Sequence, residues 1–369
     1  MTWHLFMLIW GRPFIEQAER CVIPFLAMPG NIPALAKDDA VTLHVYTDEG
    51  SRPGLAAALA PLASWCAIDI RLFDDTRARH ITGPDYRYEL QRLCLQDLAR
   101  SFNGDPLILL DSNLLLADGT LAALAARRRI GARAVAISLL RARPEPLTSR
   151  LAPMLARKDA IGARRLVEAT LGSLHHITES FFVDATPFTP YPSQMSWRVG
   201  DDGFVTRAFL PHPFMVPISP ALARYQSSMD YDLTLRAVSD NELYMVSDSD
   251  EMLAVKVTGD EHQAQRADGG FSPNAADLGL FLLTCTNHRH RAFADTPVVF
   301  HRGERDARFE AAVAASQQMV DAAYGWIDAL AARAGQLDAR LLMYLKSHLG
   351  PIEDFMSPQL EPAALGRLD

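Results

Sequence analysis

Over the first third of the chain, short apolar runs alternate with stretches whose apolar residues recur every three or four positions. That is the pattern of βα units around a largely parallel sheet. Residues 4–10 (HLFMLIW) read as a buried first strand. Between Phe14 and Leu26, the residues Phe14, Ala18, Cys21, Val22 and Phe25 share one helical face, and the helix is expected to end near Pro29-Gly30-Asn31. Leu43, Val45 and Thr47 alternate with His44 and Tyr46 in a second strand. Residues 51–63 then offer a Ser cap, an early Pro and an Ala/Leu-rich helix, and 68–73 is a third strand. Asp85 is placed to cap a helix running to about Phe102. Residues 106–111 (PLILLD) are apolar without alternation up to Asp111, as at the centre of a parallel sheet. Asp118-Gly-Thr opens a helix that closes at Gly131, and 132–138 is a fifth strand.

After Leu140 the rhythm changes to basic helical segments, to about His176, and then to a Pro-rich, aromatic region over 187–220. Asp201-Asp202-Gly203 separates two β-rich runs, 195–199 and 204–210, and reads as a hairpin turn. Residues 243–246 and 252–257 are expected to pair with each other around the acidic tip Ser247-Asp-Ser-Asp-Glu251. Ser272 or Asn274 starts a helix to about Thr286, 298–301 is a short strand, and 308–349 is helical. No internal repeat is found. The division expected is an α/β region over 1–140, a hairpin-containing region over 141–305 and a helical tail over 306–369.

Composition narrows the function classes. Among 369 residues, 36 Lys and Arg face 44 Asp and Glu, a formal charge of −8, so no basic field draws the chain to nucleic acid. The four cysteines, Cys21, Cys66, Cys94 and Cys285, are far apart with no CxxC pair, which fits a reduced, cytoplasmic setting better than a zinc or disulfide framework. Apolar runs fall well short of the ~20 residues that span a bilayer. The start of the chain, with no Lys or Arg before its apolar stretch, does not read as a secretory signal. GxGxxG after the first strand, GxxxxGK[ST], HExxH and GxSxG are all absent, against dinucleotide oxidoreductases, P-loop kinases, zinc proteases and lipases.

The informative site is Asp111-Ser112-Asn113, where the buried fourth strand ends in two oxygen-bearing side chains at i and i+2. In extended chain both point the same way, at the edge where open α/β sheets bind ligands, and together they could hold a hard cation. The plain alternative is an Asx turn. Asp248, Asp250 and Glu251 at the second expected hairpin are candidates for the carboxylate that accepts a hydroxyl proton, set against a solvated acidic tip. Asp230 and Asp232 are read either as further candidates or as a helix cap. His212, within Pro211-His-Pro213, could line an acceptor pocket or simply pack in the core. His175-His176 and His288-Arg-His290 are read as structural, and Arg127-Arg-Arg129 as complementing a helix end, with peripheral membrane contact as the minor reading.

The order of elements over residues 4–138, together with Leu109-Leu-Asp111-Ser-Asn113-Leu-Leu-Leu-Ala-Asp118-Gly, resembles the GT-A class of nucleotide-sugar glycosyltransferases, whose central strand ends in a DxD motif. Here the motif reads D-S-N, which removes one negative charge. The resemblance implies a GT-A-like α/β fold with a mainly parallel sheet flanked by helices, a β-hairpin-containing acceptor region and a helical C-terminal tail. It implies a nucleotide-sugar donor, a glycan or cell-envelope acceptor and a divalent cation, Mn²⁺ or Mg²⁺, on Asp111 and Asn113 with His301 as a final ligand. Arg12 and Asp74 or Asp75 would lie near the nucleotide, and Asp248, Asp250 or His212 would address the acceptor. Two other readings stay open: an inactive glycan- or nucleotide-binding assembly protein on the same scaffold, and a sugar nucleotidyltransferase.

Overall fold

The computed structural model describes residues 1–76, 79–81, 84–226, 229–259 and 271–355, with backbone alone at 84, 85, 230 and 231. In chain order the strands begin with β1 (Thr2–Leu8), β2 (Ala40–Thr47), β3 (Ala67–Leu72), β4 (Pro106–Asp111), β5 (Leu114–Leu116), β6 (Ala134–Ile137) and β7 (Leu140–Ala142). There follow β8 (Gln194–Arg198), β9 (Gly203–Ala208), β10 (His212–Pro217), β11 (Leu243–Met245), β12 (Ala254–Val257) and β13 (Pro297–His301). Seven form one sheet in the order β11-β6-β10-β4-β1-β2-β3. β1 to β4 are mutually parallel, β10 runs antiparallel between β4 and β6, and β11 is parallel to β6. The fold is thus mixed α/β with a mostly parallel central sheet.

Why β4 is apolar throughout is visible in its two faces. Ile108 and Leu110 pack into one core with Trp3, Leu5 and Met7, beneath the helices of residues 12–26 and Thr120–Arg129. Leu107 and Leu109 pack into a second core with Phe6, Leu8 and the Leu90, Cys94, Leu95 and Leu98 side chains of helix Pro84–Ser101. A strand covered on both sides has no solvent face to alternate with.

The remaining strands form two small sheets. β12 lies between β5 (antiparallel) and β7 (parallel), and β9 lies between β8 and β13, antiparallel to both. The expected hairpin at 201–203 is β8-β9. The expected pairing of 243–246 with 252–257 does not occur: β11 extends the large sheet beside β6, while β12 belongs to a different sheet. Val246 continues the β6 ladder by donating to the Ala136 carbonyl, and Asp248 bridges to Val299 beside β13, so Ser247–Glu251 is a crossing between sheets and not a hairpin tip.

Three helical expectations are refined. The helix of residues 12–26 widens to a π turn at Ala18–Val22, just before Pro24, which has no N–H to donate one turn back. Ser51 does not cap its helix; its hydroxyl accepts from the Gly11 N–H at 2.8 Å. The segment 308–349 is two helices, Ala307–Ala331 and Ala339–Leu349, the second capped by Asp338 accepting from Leu341 N–H at 2.8 Å. Asn274 does cap Ala275–Cys285, accepting from Asp277 N–H at 2.9 Å. The expected Asp85 cap concerns a side chain outside the described residues.

Candidate functional site

Strand order reverses at β1: β2 and β3 lie to one side of it, β4 to the other. A crevice opens at the carboxyl ends of such a strand pair, because the two loops leave in opposite directions. Here those loops are Trp10-Gly11-Arg12 and Asp111-Ser112-Asn113. Gly11 has φ +83°, a region that favours glycine, and the turn aims Trp10 across the edge. Its ring meets Phe73 edge-on at 5.6 Å and Tyr86 at 6.4 Å. Tyr86 Oη donates to Asp75 at 3.3 Å, and Asp75 pairs with Arg79 at 2.7 Å. Asp74 is exposed and accepts from Thr76 N–H at 2.9 Å. Arg12 points outward, its side chain 89% exposed and paired with Glu16.

Asp111 is buried at the end of its strand. Its Oδ2 accepts from Lys256 Nζ and its Oδ1 lies 3.7 Å from Arg87. Burial alone would raise this carboxyl, but Lys256, Arg87 and the His212 ring outweigh it and hold Asp111 well below the usual carboxylate range. Burial pulls the Lys256 ammonium below its ordinary value; Asp111 opposes this, and Arg141 and Arg87 add to it. His212, the first residue of the antiparallel β10, reaches the same edge, with Nε2 3.4 Å from the Leu109 carbonyl. Asn113 donates its amide N–H to Val257 at 2.7 Å, which anchors β12 and so positions Lys256, while its Oδ1 is buried with no hydrogen-bond partner among the described residues.

His301 does not join this group. It lies against Asp248 and Asp250, and one ligand atom from each of the three falls within 4.8 Å of the others. His301 Nδ1–H donates to the Gly303 carbonyl, which turns Nε2 toward Asp248 Oδ1 at 3.0 Å and Asp250 Oδ2 at 3.7 Å. A separation of 3.0 Å suits adjacent ligands on an octahedral ion with bonds of ~2.1 Å, and a backbone-oriented imidazole beside two carboxylates could hold a divalent metal ion. Arg305 at 3.1 Å on Asp248 and Arg164 at 2.8 Å on Asp250 balance the carboxylates from outside.

The other acidic and basic candidates go elsewhere. Glu251 binds Arg127 and accepts from Tyr244 Oη at 2.7 Å, with Arg127 stacked 4.2 Å above the Tyr244 ring. Arg129 pairs with Asp38. Asp232 sits within helix Met229–Ala237 rather than capping it, accepting from Tyr225 and Arg236, and the Asp230 side chain is outside the described residues. His175 caps helix His176–Ser180 and His290 is buried at Asn287, both structural. Sequence reasoning missed Lys256, Arg87 and Arg141, and only Lys256 carried a signal: it is the one charged residue in the apolar run 252–257.

No family model matches the chain, and no curated protein matches it. Solved structures with loose overlap include glycosyltransferases and a putative glucose-1-phosphate thymidylyltransferase from Bacillus anthracis, 12% identical over 39% of this chain and 57% of its own at a TM-score of 0.25. The mannosyltransferase PcManGT from Pyrobaculum calidifontis, in complex with GDP-Man and Mn²⁺, is 13% identical over 94% of this chain and 78% of its own, at a TM-score of 0.32. S. aureus TarS is 10% identical over 96% of this chain and 54% of its own, also at 0.32. Mouse xyloside xylosyltransferase 1 is 16% identical over 42% of this chain and 59% of its own, at 0.28. This chain therefore spans little more than half the length of the last two. Overlap so loose carries no site or substrate across. Among the described residues, no helix is long and apolar enough to cross a membrane.

Proposed function

We propose that this chain is a GT-A-like glycosyltransferase, moving a sugar from a nucleotide-sugar donor to a glycan or other hydroxyl acceptor. The observation that carries the reading is Asp111 ending the buried central strand beside the reversal of strand order, with Lys256, Arg87 and His212 converging on it. Cationic side chains at that edge suit a diphosphate, and Trp10, Phe73 and Tyr86 offer aromatic surface to a base. Asn113 Oδ1, without a donor among the described residues, suits a sugar or ribose hydroxyl. Asp74 and Asp75 follow β3 and Arg12 follows β1, and all three are assigned to the nucleotide side.

In this reading residues 1–140 hold the donor, 141–305 the acceptor and 306–369 form a helical tail, with β10 and β12 lending His212 and Lys256 to the donor edge. Transfer needs a group that takes the acceptor proton. His212 stands beside Asp111 and is one candidate; Asp248 and Asp250 are the others. The Asp248 cluster follows β11, on the same sheet edge but three inter-strand spacings from β4, about 14 Å at ~4.8 Å each. Asp248, Asp250 and His301 would hold a divalent cation, which when bound supplies positive charge facing a developing anion. Asp111 and Asn113, met by Lys256, are a poor fit for one.

The test is a thermal-shift panel of nucleoside diphosphates and nucleotide sugars, each with and without Mg²⁺ or Mn²⁺. Binding to the native state raises the melting temperature by mass action. A shift with a nucleotide sugar, followed by release of its nucleoside diphosphate when acceptor is added, is the expected result. Turnover of a nucleoside triphosphate with a sugar phosphate, and none of a nucleotide sugar, would overturn the reading.

A further inference from the structure

A D-S-N motif at a strand end invites a cation between Asp111 and Asn113, and the side chains present do not accommodate one. The Asp111 carboxylate is engaged on one oxygen by Lys256 Nζ and faced on the other by Arg87. Lys256 is held there by its strand: in register it lies between Leu114 of β5 and Arg141 of β7. The anchor is local as well, since Val257 N–H donates to the Asn113 carbonyl at 2.8 Å while Asn113 returns its amide N–H to Val257. A divalent ion at this point would meet an ammonium and a guanidinium at contact, with a second guanidinium in the next strand.

The charges do not cancel. Among the described residues one carboxylate, Asp111, is met by Lys256 and faced by Arg87, and Arg141 lies opposite Lys256 in register; Asp111 and Lys256 are largely buried, while Arg87 keeps 31% of its side chain exposed. Such a surplus suits an anion with several oxygens. The orphaned Asn113 Oδ1 adds the complementary demand for a hydroxyl donor on the same ligand.

We propose that Lys256 is the resident cation of this site, standing where a divalent metal would, so that a nucleoside diphosphate binds at the end of β4 against Lys256, Arg87 and Arg141 without metal. The identity of the ligand as a donor product rests on the glycosyltransferase reading; the anion site itself does not. The Asp248, Asp250 and His301 cluster is then a separate cation site, and chelation empties it without touching the diphosphate.

Titration calorimetry of the full chain with UDP, GDP and inorganic pyrophosphate, in EDTA and in Mg²⁺, tests this. At least one probe is expected to bind in EDTA with a Kd comparable to that in Mg²⁺. Lys256→Met should weaken it at least ~10-fold, the size of a lost charge-assisted hydrogen bond. Because that variant strands Asp111 in a buried place, Asp111→Asn/Lys256→Met is made alongside it. This double variant keeps the polar shape with no buried charge pair, and is expected to fold and to lose binding equally. Binding that requires Mg²⁺, unchanged binding in the folded double variant, or no binding of any probe in either medium overturns the proposal. Pyrophosphate bound in EDTA with no nucleotide sugar turned over upholds the resident cation and sinks the transferase; metal-dependent turnover that survives the double variant does the reverse.

Discussion

His4 and His44 share a 2.8 Å hydrogen bond beneath helix Pro84–Ser101, each almost fully buried. Asp69 accepts from His44 Nδ1 at 2.8 Å, Asp105 lies 3.7 Å from His4 Nε2, Arg71 pairs with Asp69, and Phe102 packs on His4 at 4.3 Å. Burial is the largest influence and pushes His44 down to about 4, with Asp69 opposing it and His4 and Arg71 adding to it. His4 is lowered too, by burial against the pull of Asp105. His44 therefore stays neutral in the fold down to about pH 4, and His4 is harder to protonate there, while the unfolded chain gains protons below pH about 6.5. Protons then favour unfolding, and stability falls as the pH drops from about 6.5 toward 4, by up to about 3 kcal/mol for His44. Melting temperature against pH should slope downward over pH 6.5 to 4.5 and flatten in His44→Gln; an equal slope in the variant would refute the assignment. At the acidic cluster, His301→Gln should weaken Mn²⁺ binding at least ~10-fold by electron paramagnetic resonance. Equal Mn²⁺ occupancy in the variant would return Asp248 and Asp250 to a plain ion-pair network with Arg305 and Arg164.

At the scale of elements, β4 is the least replaceable. Leu109 is 1% exposed between β1 and the antiparallel β10. Leu109→Ala should cost about 2–5 kcal/mol by urea unfolding. Leu109→Asp should leave no cooperative transition, since a dry core cannot hold an unpaired charge; a native-like melt would contradict the two-sided burial. Gly203 is as constrained by backbone: φ is +150°, and a Cβ there would lie 1.9 Å from the Phe300 carbonyl oxygen across the β9-β13 pair. Gly203→Ala should lower the melting temperature by many degrees, and an unchanged melt would mean the strands separate without penalty. These elements were legible because their cause is local: β1 to β4 from apolar runs, β8-β9 from its Asp-Asp-Gly turn. β11 and β12 were each legible as strands, yet their partners β6, β5 and β7 lie over a hundred residues earlier. Sequence proximity suggested a hairpin that long-range pairing overrides. The same limit hid the site: Asp111 was readable at its strand end, but Lys256 reaches it only through the β5-β12-β7 sheet.

For the whole molecule, one sheet edge gathers the chemistry. The β1 to β4 crevice brings Asp111, Lys256, Arg87 and His212 together, and the Asp248, Asp250 and His301 group follows β11 on that edge. Pieces from the first and second halves of the chain interleave there, so neither half holds the cationic site alone. Asn113→Ala should loosen β12, lowering both the melting temperature and the affinity for a diphosphate; normal affinity with a lowered melt would separate the anchor from the site. The central claim is that this edge binds a nucleotide sugar and transfers its sugar. Mass spectrometry of the wild type incubated with a nucleotide-sugar panel and a mixed-hydroxyl acceptor pool tests it most directly. The account predicts acceptor gaining one sugar mass from at least one donor, with that product lost in the folded Asp111→Asn/Lys256→Met variant. No sugar transferred from any donor, or product formed equally by the double variant, would contradict it.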